Sequence, residues 1–244
     1  MFDSSLNMMN TMQKNQVLNM QNTATKTNDS PLLRKTAYER IEALLNTGTL
    51  TPGQVVSQRE LVELTDSTLG SIREAVSRLE AEGLLQTLPK RGLMVPSLDI
   101  TFVRNAYELR KLIEVGTLER SSDMIPKSII ENWIKQHEKL LEQIIDNKDE
   151  EVSEEIQKLD WDMHSRIVNA GNNTLVENVY RITAIKIRMA VQSRIKVTPF
   201  NGHRVINEHL SFLRPLAAGD KKLAAIKLEE HLNNSLTLAL GGTI

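Results

Sequence analysis

Apolar residues recur at two spacings along this chain, and the change from mixed to purely helical spacing divides it. Tyr38, Ile41, Leu44 and Leu45 form a helical stripe. Thr51-Pro52-Gly53 then turns into a short strand at Gln54–Val56. Ser57 stands where a helix cap is needed and Glu60 follows three residues on, the capping-box arrangement, which predicts a short helix from Gln58 to Leu64. A polar break at Thr65, Asp66, Ser67 and Thr68 separates it from a second helix with Ile72, Ala75, Val76 and Leu79 on one stripe, ended by Gly83. A strand near Leu84–Leu88, a tight basic turn Pro89-Lys90-Arg91-Gly92 and a strand at Leu93–Val95 complete the segment. Helix, break, helix and hairpin in this order predict a winged helix-turn-helix over residues 31–96.

Pro96-Ser97-Leu98-Asp99 reads as a linker, and from Ile100 the period is helical throughout. Helices are expected near 100–121, 126–147, 149–170, 173–196, 201–217 and 220–239, with breaks at Ile125-Pro126, Asn147-Lys148, Ala170-Gly171-Asn172, Thr198-Pro199 and Gly219-Asp220. No strand pattern interrupts them, so residues 100–240 are expected to form an antiparallel helical bundle. Residues 1–30, rich in Asn, Gln, Thr, Ser and Met, carry no sustained period and are expected to be a disordered tail. The fold class is therefore mainly α, a winged helix-turn-helix followed by an all-α bundle.

The second helix of the N-terminal segment has another face. Thr68, Gly70, Ser71, Arg73 and Ser77 near its start offer small or hydrogen-bonding groups and one guanidinium, a surface suited to base edges in a major groove. Arg59 on the helix before it, and Lys90 and Arg91 beside Gly92 on the turn, are placed to meet phosphates. Taken singly, each is an ordinary surface charge. Their coincidence with the helix–break–helix–hairpin order points to double-stranded DNA. The net charge of the 244 residues is −1, and bases and acids balance between Pro31 and Ser97, which excludes a bulk nucleic-acid coat and favours site-specific binding. The chain has no cysteine, which removes thiolate chemistry and fits a reducing cytoplasm, and no apolar run of membrane-spanning length.

Three helices of the bundle place ionisable groups among their apolar positions. Asp160 and His164 share a face with Ile156, Met163 and Ile167; His209 lies with Val205, Ile206, Phe212 and Leu213; His231 lies with Ala224, Leu228 and Ser235. A buried carboxylate costs on the order of several kcal/mol unless it is paired or coordinated. One aspartate and three histidines facing a core therefore fit a divalent metal, although hydrogen-bonded packing histidines fit the spacing too. His137 and His203 have no such setting and are expected at the surface.

The N-terminal segment resembles the DNA-binding domain of GntR-family transcription regulators. Ser57-Gln58-Arg59-Glu60-Leu61, Ile72-Arg73-Glu74-Ala75-Val76, Leu79-Glu80-Ala81-Glu82-Gly83-Leu84 and Arg91-Gly92 follow that family's run, with Leu69 where it usually has arginine. The bundle is similar to the FCD domain of the same family, on Asp160…His164, Gly171-Asn172, Glu208-His209, Gly219-Asp220 and His231-Leu232, with Met163 where phenylalanine is common. Six helices place it nearest the VanR-like branch. The resemblance implies a homodimeric regulator, most simply a repressor, on a palindromic operator. It implies Asp160, His164, His209 and His231 as ligands of a metal, zinc by the imidazole-rich set with nickel or manganese as alternatives. It also implies a small organic-acid effector completing the metal shell, with Arg110 and Arg188 as carboxylate-binding helpers, each equally able to serve as a structural ion-pair partner. Two rivals stand beside it: a helical-bundle metalloenzyme carrying a DNA-binding module, and a regulator for which the metal itself is the signal.

Overall fold

The computed structural model describes residues 31–146 and 150–244; the expected disordered tail at 1–30 and the expected break at Asn147-Lys148 lie outside the described residues.

Side-chain caps set the ends of the N-terminal helices. Helix α1 spans Pro31–Thr47 and leads through strand β1, Val55–Val56, into α2, Gln58–Thr65. The capping box at α2 forms in full: the Glu60 amide donates to Ser57 Oγ (3.1 Å) and the Ser57 amide donates to a Glu60 carboxylate oxygen (2.6 Å). Asp66 closes α2 in the left-handed region at φ 45°. Thr68 then caps α3, Leu69–Ala81, accepting from the Ser71 amide at 3.2 Å. Strands β2, Gln86–Leu88, and β3, Gly92–Met94, form the wing in an antiparallel sheet of order β1-β3-β2, in which Val56 and Thr87 both pair with Leu93. The tip needs glycine at 92, where φ is 114° and a Cβ would lie 2.8 Å from the Val56 carbonyl oxygen.

The bundle comprises α4, Ile100–Ser121, a 3₁₀ turn at Ser122–Met124, α5, Lys127–Asp146, α6, Glu150–Asn169, α7, Thr174–Ile195, α8, Gly202–Ala217, and α9, Lys221–Ala239. Asp99 caps α4 and Asp220 caps α9, each accepting a backbone N–H three residues on, at 2.7 and 3.0 Å. Six α-helices among the described residues agree with the helical period of the sequence; the 3₁₀ turn was not expected.

Helix α7 belongs to both halves. Ile185 and Met189 on it are buried in the core formed by Tyr38, Ile41 and Leu45 of α1, Leu61 of α2 and Ile72 and Leu79 of α3. Fully buried side chains of this size each contribute about 1.5–3 kcal/mol, so the winged helix is docked on α7 by apolar burial as well as by polar contacts. Ile187 and Val191 on the same helix pack with Val103, Ala106 and Tyr107 of α4.

Candidate metal centre and nucleic-acid interface

Helical spacing brings Asp160 and His164 one turn apart on α6, and the packing of α6 against α8 and α9 adds His209 and His231. One ligand atom from each lies within 4.8 Å of all the others. The three imidazoles are buried, His209 completely. The Nε2 atoms of His164 and His209 stand 3.3 and 3.1 Å from Asp160 Oδ1, yet both are sealed from water with no hydrogen-bond partner among the described residues. A buried polar atom left without a partner costs on the order of 1–3 kcal/mol, a cost that a coordinated cation removes. Two ligand atoms at zinc distance in a tetrahedral shell are about 3.3–3.4 Å apart, close to these spacings. The residues fit a divalent metal.

What holds each imidazole decides which nitrogen it presents. His164 Nδ1–H donates to Glu114 of α4 (2.5 Å), and His231 Nδ1–H donates to Glu208 of α8 (2.8 Å). His209 is held by another histidine. His137 of α5 faces the Trp133 carbonyl oxygen through Nδ1 (2.7 Å), so that nitrogen carries the proton and its Nε2 accepts from His209 Nδ1–H at 2.9 Å. All three candidate ligand histidines therefore spend Nδ1–H on an anchor and turn Nε2 towards the site; His209 and His231 present it bare, and His164 gives up a second proton to a metal.

The electrostatics follow from burial and these partners. Burial would raise the Asp160 carboxyl, but the imidazoles of His164 and His209 hold it well below the carboxylate range. Burial would lower His164, but Glu114 and Asp160 raise it to about 9. Burial brings His209 down to about 3 and lowers His231 and His137, so these stay neutral. Glu114 and Glu208 both fall to about 2, against their burial, under Arg110 and His164 in the first case and His231 and Arg204 in the second.

Asp160, His164 and His231 face a cavity of about 50 Å³ that Tyr107, Trp161 and Tyr180 also line, while His209 stands behind them. Its volume is room for about three to five waters. Arg110, Arg188 and Arg204 are on its wall. Arg110 is paired with Glu114 (2.6 Å) and Arg204 with Glu208 (2.8 Å). Arg188 donates through Nε to Asn46 of α1 (2.8 Å) and lies over the Trp161 ring at 4.6 Å.

The anchoring roles of three residues of this site escaped sequence reasoning. His137, expected at the surface, is fully buried. Its signal was present: Ile130, Trp133, His137, Leu140 and Ile144 recur at spacings of three and four, and all are buried. Glu114 continues the stripe Val103, Tyr107, Arg110 in the same way, and Glu208 is the neighbour of His209 in the chain. His203 is exposed as expected.

On the face expected to meet DNA, Arg59, Thr68, Arg73, Ser77, Lys90 and Arg91 are exposed, and Gly70 and Gly92 are partly so. Ser71 departs from the expectation. It is buried, with its hydroxyl 2.9 Å from Thr68 Oγ1, because the third residue of α3 faces inward beneath the cap. Lys90 sits at φ 62°, at the apex of the wing.

The family model described as the FCD domain matches residues 105–234, and the model for bacterial regulatory proteins of the gntR family matches residues 33–95. The uncharacterized HTH-type transcriptional regulator YdhC of Bacillus subtilis is 24% identical over 204 residues, which is 81% of this chain and 86% of that protein. The Nta operon transcriptional regulator of Aminobacter aminovorans is 28% identical over 143 residues, 57% of this chain and 64% of that protein. An HTH-type regulator from the unstable DNA locus of Streptomyces ambofaciens matches over about half its length (48%) at 28% identity. Among solved structures, McbR/YncC of E. coli shares the fold with a TM-score of 0.75 at 17% identity, covering 86% of this chain and 97% of that one.

Proposed function

We propose a function that proceeds from one premise: the chain belongs to the gntR family of bacterial regulatory proteins that carry an FCD domain, and is a DNA-binding transcriptional regulator and no enzyme. The finer reading is that a small carboxylate, bound at a divalent metal in the bundle, sets the affinity of the winged helix for its operator. The observation that carries it is the convergence of three buried imidazoles and Asp160 beside a small cavity walled by arginines.

In this reading Asp160, His164, His209 and His231 hold the metal, zinc by their imidazole-rich chemistry, with nickel or manganese as alternatives. When bound, the ion supplies a Lewis-acidic position facing the cavity. The protein's own groups do the rest: Glu114, Glu208 and His137 fix the imidazoles, and Arg110 and Arg188 orient the acid. A cavity of about 50 Å³ limits the effector to a few carbons. Each imidazole of the set is anchored from behind, which favours a resident metal over one that comes and goes as the signal. Residues 31–96 act as the DNA-binding unit and 100–240 as the effector unit, joined by the linker at Pro96–Asp99. Two copies set two α3 helices in successive major grooves of a palindrome. Gly70, Arg73 and Ser77 meet base edges, and Arg59, Lys90 and Arg91 meet phosphates. Acid binding represses or relieves by favouring one of two arrangements of the two halves, with a coupling of roughly 1–3 kcal/mol.

The test uses the full chain loaded with zinc and a DNA fragment the protein itself selects from a random pool. Fluorescence anisotropy is expected to show a change of five-fold or more in DNA affinity (roughly 1 kcal/mol of coupling) with a short carboxylic acid. Elemental analysis is expected to find about one metal per chain, lost in His209→Ala. Unchanged DNA affinity across a panel of two- to six-carbon acids would sink the switch, and unchanged metal content in His209→Ala would sink the site.

A further inference from the structure

Of the three arginines on the cavity wall, Arg188 is the one held by no carboxylate. Arg110 and Arg204 have theirs in Glu114 and Glu208, whereas the single hydrogen bond of Arg188 among the described residues runs from Nε to the neutral amide of Asn46. Its two Nη groups make none among those residues. The charges of the site tell the same story. Glu114, Asp160 and Glu208 balance Arg110, Arg188 and Arg204, so a divalent ion leaves two positive charges uncompensated in a largely enclosed space. Burial costs a cation several kcal/mol unless an anion answers it. It also brings the Arg188 guanidinium down to about 10, well below its ordinary value, a strain that an anion beside it relieves.

We infer that Arg188 takes a second carboxylate of the effector, so that the site selects short dicarboxylates over monocarboxylates, and that taking it withdraws the guanidinium from Asn46. One carboxylate completes the metal shell, the other meets the Nη fork, and the chain between them spans a cavity too small for more than a few carbons. This rests on the function proposed above and adds the ligand class and the link to the winged helix. Asn46 lies near the end of α1, whose Tyr38, Ile41 and Leu45 are built into the core of the DNA-binding half. The guanidinium that reads the acid is thus also a tie between the two halves, and the acid and Asn46 compete for it.

The competition gives opposite signs for two substitutions. Isothermal titration of the zinc-loaded full chain is expected to show malonate or succinate binding at least about tenfold tighter than acetate or propionate, since a bidentate guanidinium–carboxylate pair is a strong one. Arg188→Met is expected to lose that preference. Asn46→Ala, which frees Arg188, is expected to bind malonate several-fold more tightly than the native chain and to respond less in DNA affinity, a pattern that a merely structural contact does not produce. Equal affinity for malonate and acetate in the native chain overturns the dicarboxylate assignment and leaves the small-acid function standing. Unchanged or weaker malonate binding in Asn46→Ala overturns the exchange. Binding of neither acid, with no effect on DNA affinity, removes the proposed function together with this inference.

Discussion

At the scale of single residues, the unusual feature is the histidine behind a histidine. A ligand imidazole is more often oriented by a carboxylate or a carbonyl, as His164 and His231 are by Glu114 and Glu208. His209 reaches its carbonyl through His137, and the direction of the chain of donors is fixed from the Trp133 end. His137→Leu leaves His209 Nδ1–H buried without an acceptor and frees the ring to present the wrong nitrogen. Metal affinity is expected to fall about 10- to 100-fold, read by competition with a chelator of known affinity. His203→Leu, at an exposed position, serves as the control, and a His137 variant that matches it in affinity would show the relay to be dispensable. The four candidate ligands were legible in the sequence as a group because each stood among apolar neighbours at helical spacing. His137 stood in such a stripe as well, but spacing alone does not say whether a polar member faces a core or the solvent.

At the scale of elements, α3 shows how far local chemistry carries. Thr68 caps it, Gly83 at φ 66° follows its end, and Ile72, Ala75, Val76 and Leu79 turn it onto α1, which leaves Arg73 and Ser77 outward. The one misplaced residue, Ser71, lies in the first turn, where a cap and the core compete for a side chain and the register of a single residue decides. If α3 enters the major groove, Arg73→Ala is expected to weaken binding to the selected fragment about tenfold or more and to relax preference at one position. Arg91→Ala, at the wing, is expected to weaken all sequences alike and to reduce the salt slope of binding by about 0.9. Anisotropy titrations over a salt series separate the two; an unchanged slope in Arg91→Ala would place the wing away from the phosphates.

At the scale of the whole molecule, α7 ties reading head to bundle at two levels. Two turns before Arg188, Arg181 donates to Tyr38 Oη (2.6 Å), Glu42 (2.9 Å) and Glu82 (2.9 Å), and Tyr38 donates to Glu82 in turn (2.5 Å). Burial pushes the Glu82 carboxyl up, but Tyr38 and Arg181 outweigh it and hold it below its ordinary 4.5. A carboxyl lowered by folding contributes stability that is present above the ordinary value and is lost as pH falls through the folded one. The docking of the two halves is therefore expected to weaken below about pH 4.5, and urea midpoints are expected to drop less on acidification in Glu82→Gln than in the native chain. Equal drops would mean that the clamp contributes nothing. By itself the sequence determined the α-helices, the hairpin and the four candidate ligands, since caps, turns and periodicity act over a few residues and need no distant partner. Only the tertiary structure decided what answers each polar group. His164 meets Glu114 across 50 residues, His209 meets His137 across 72 and Arg188 meets Asn46 across 142, and such pairs are selected by packing, which brings together faces whose order in the chain carries no trace of the match.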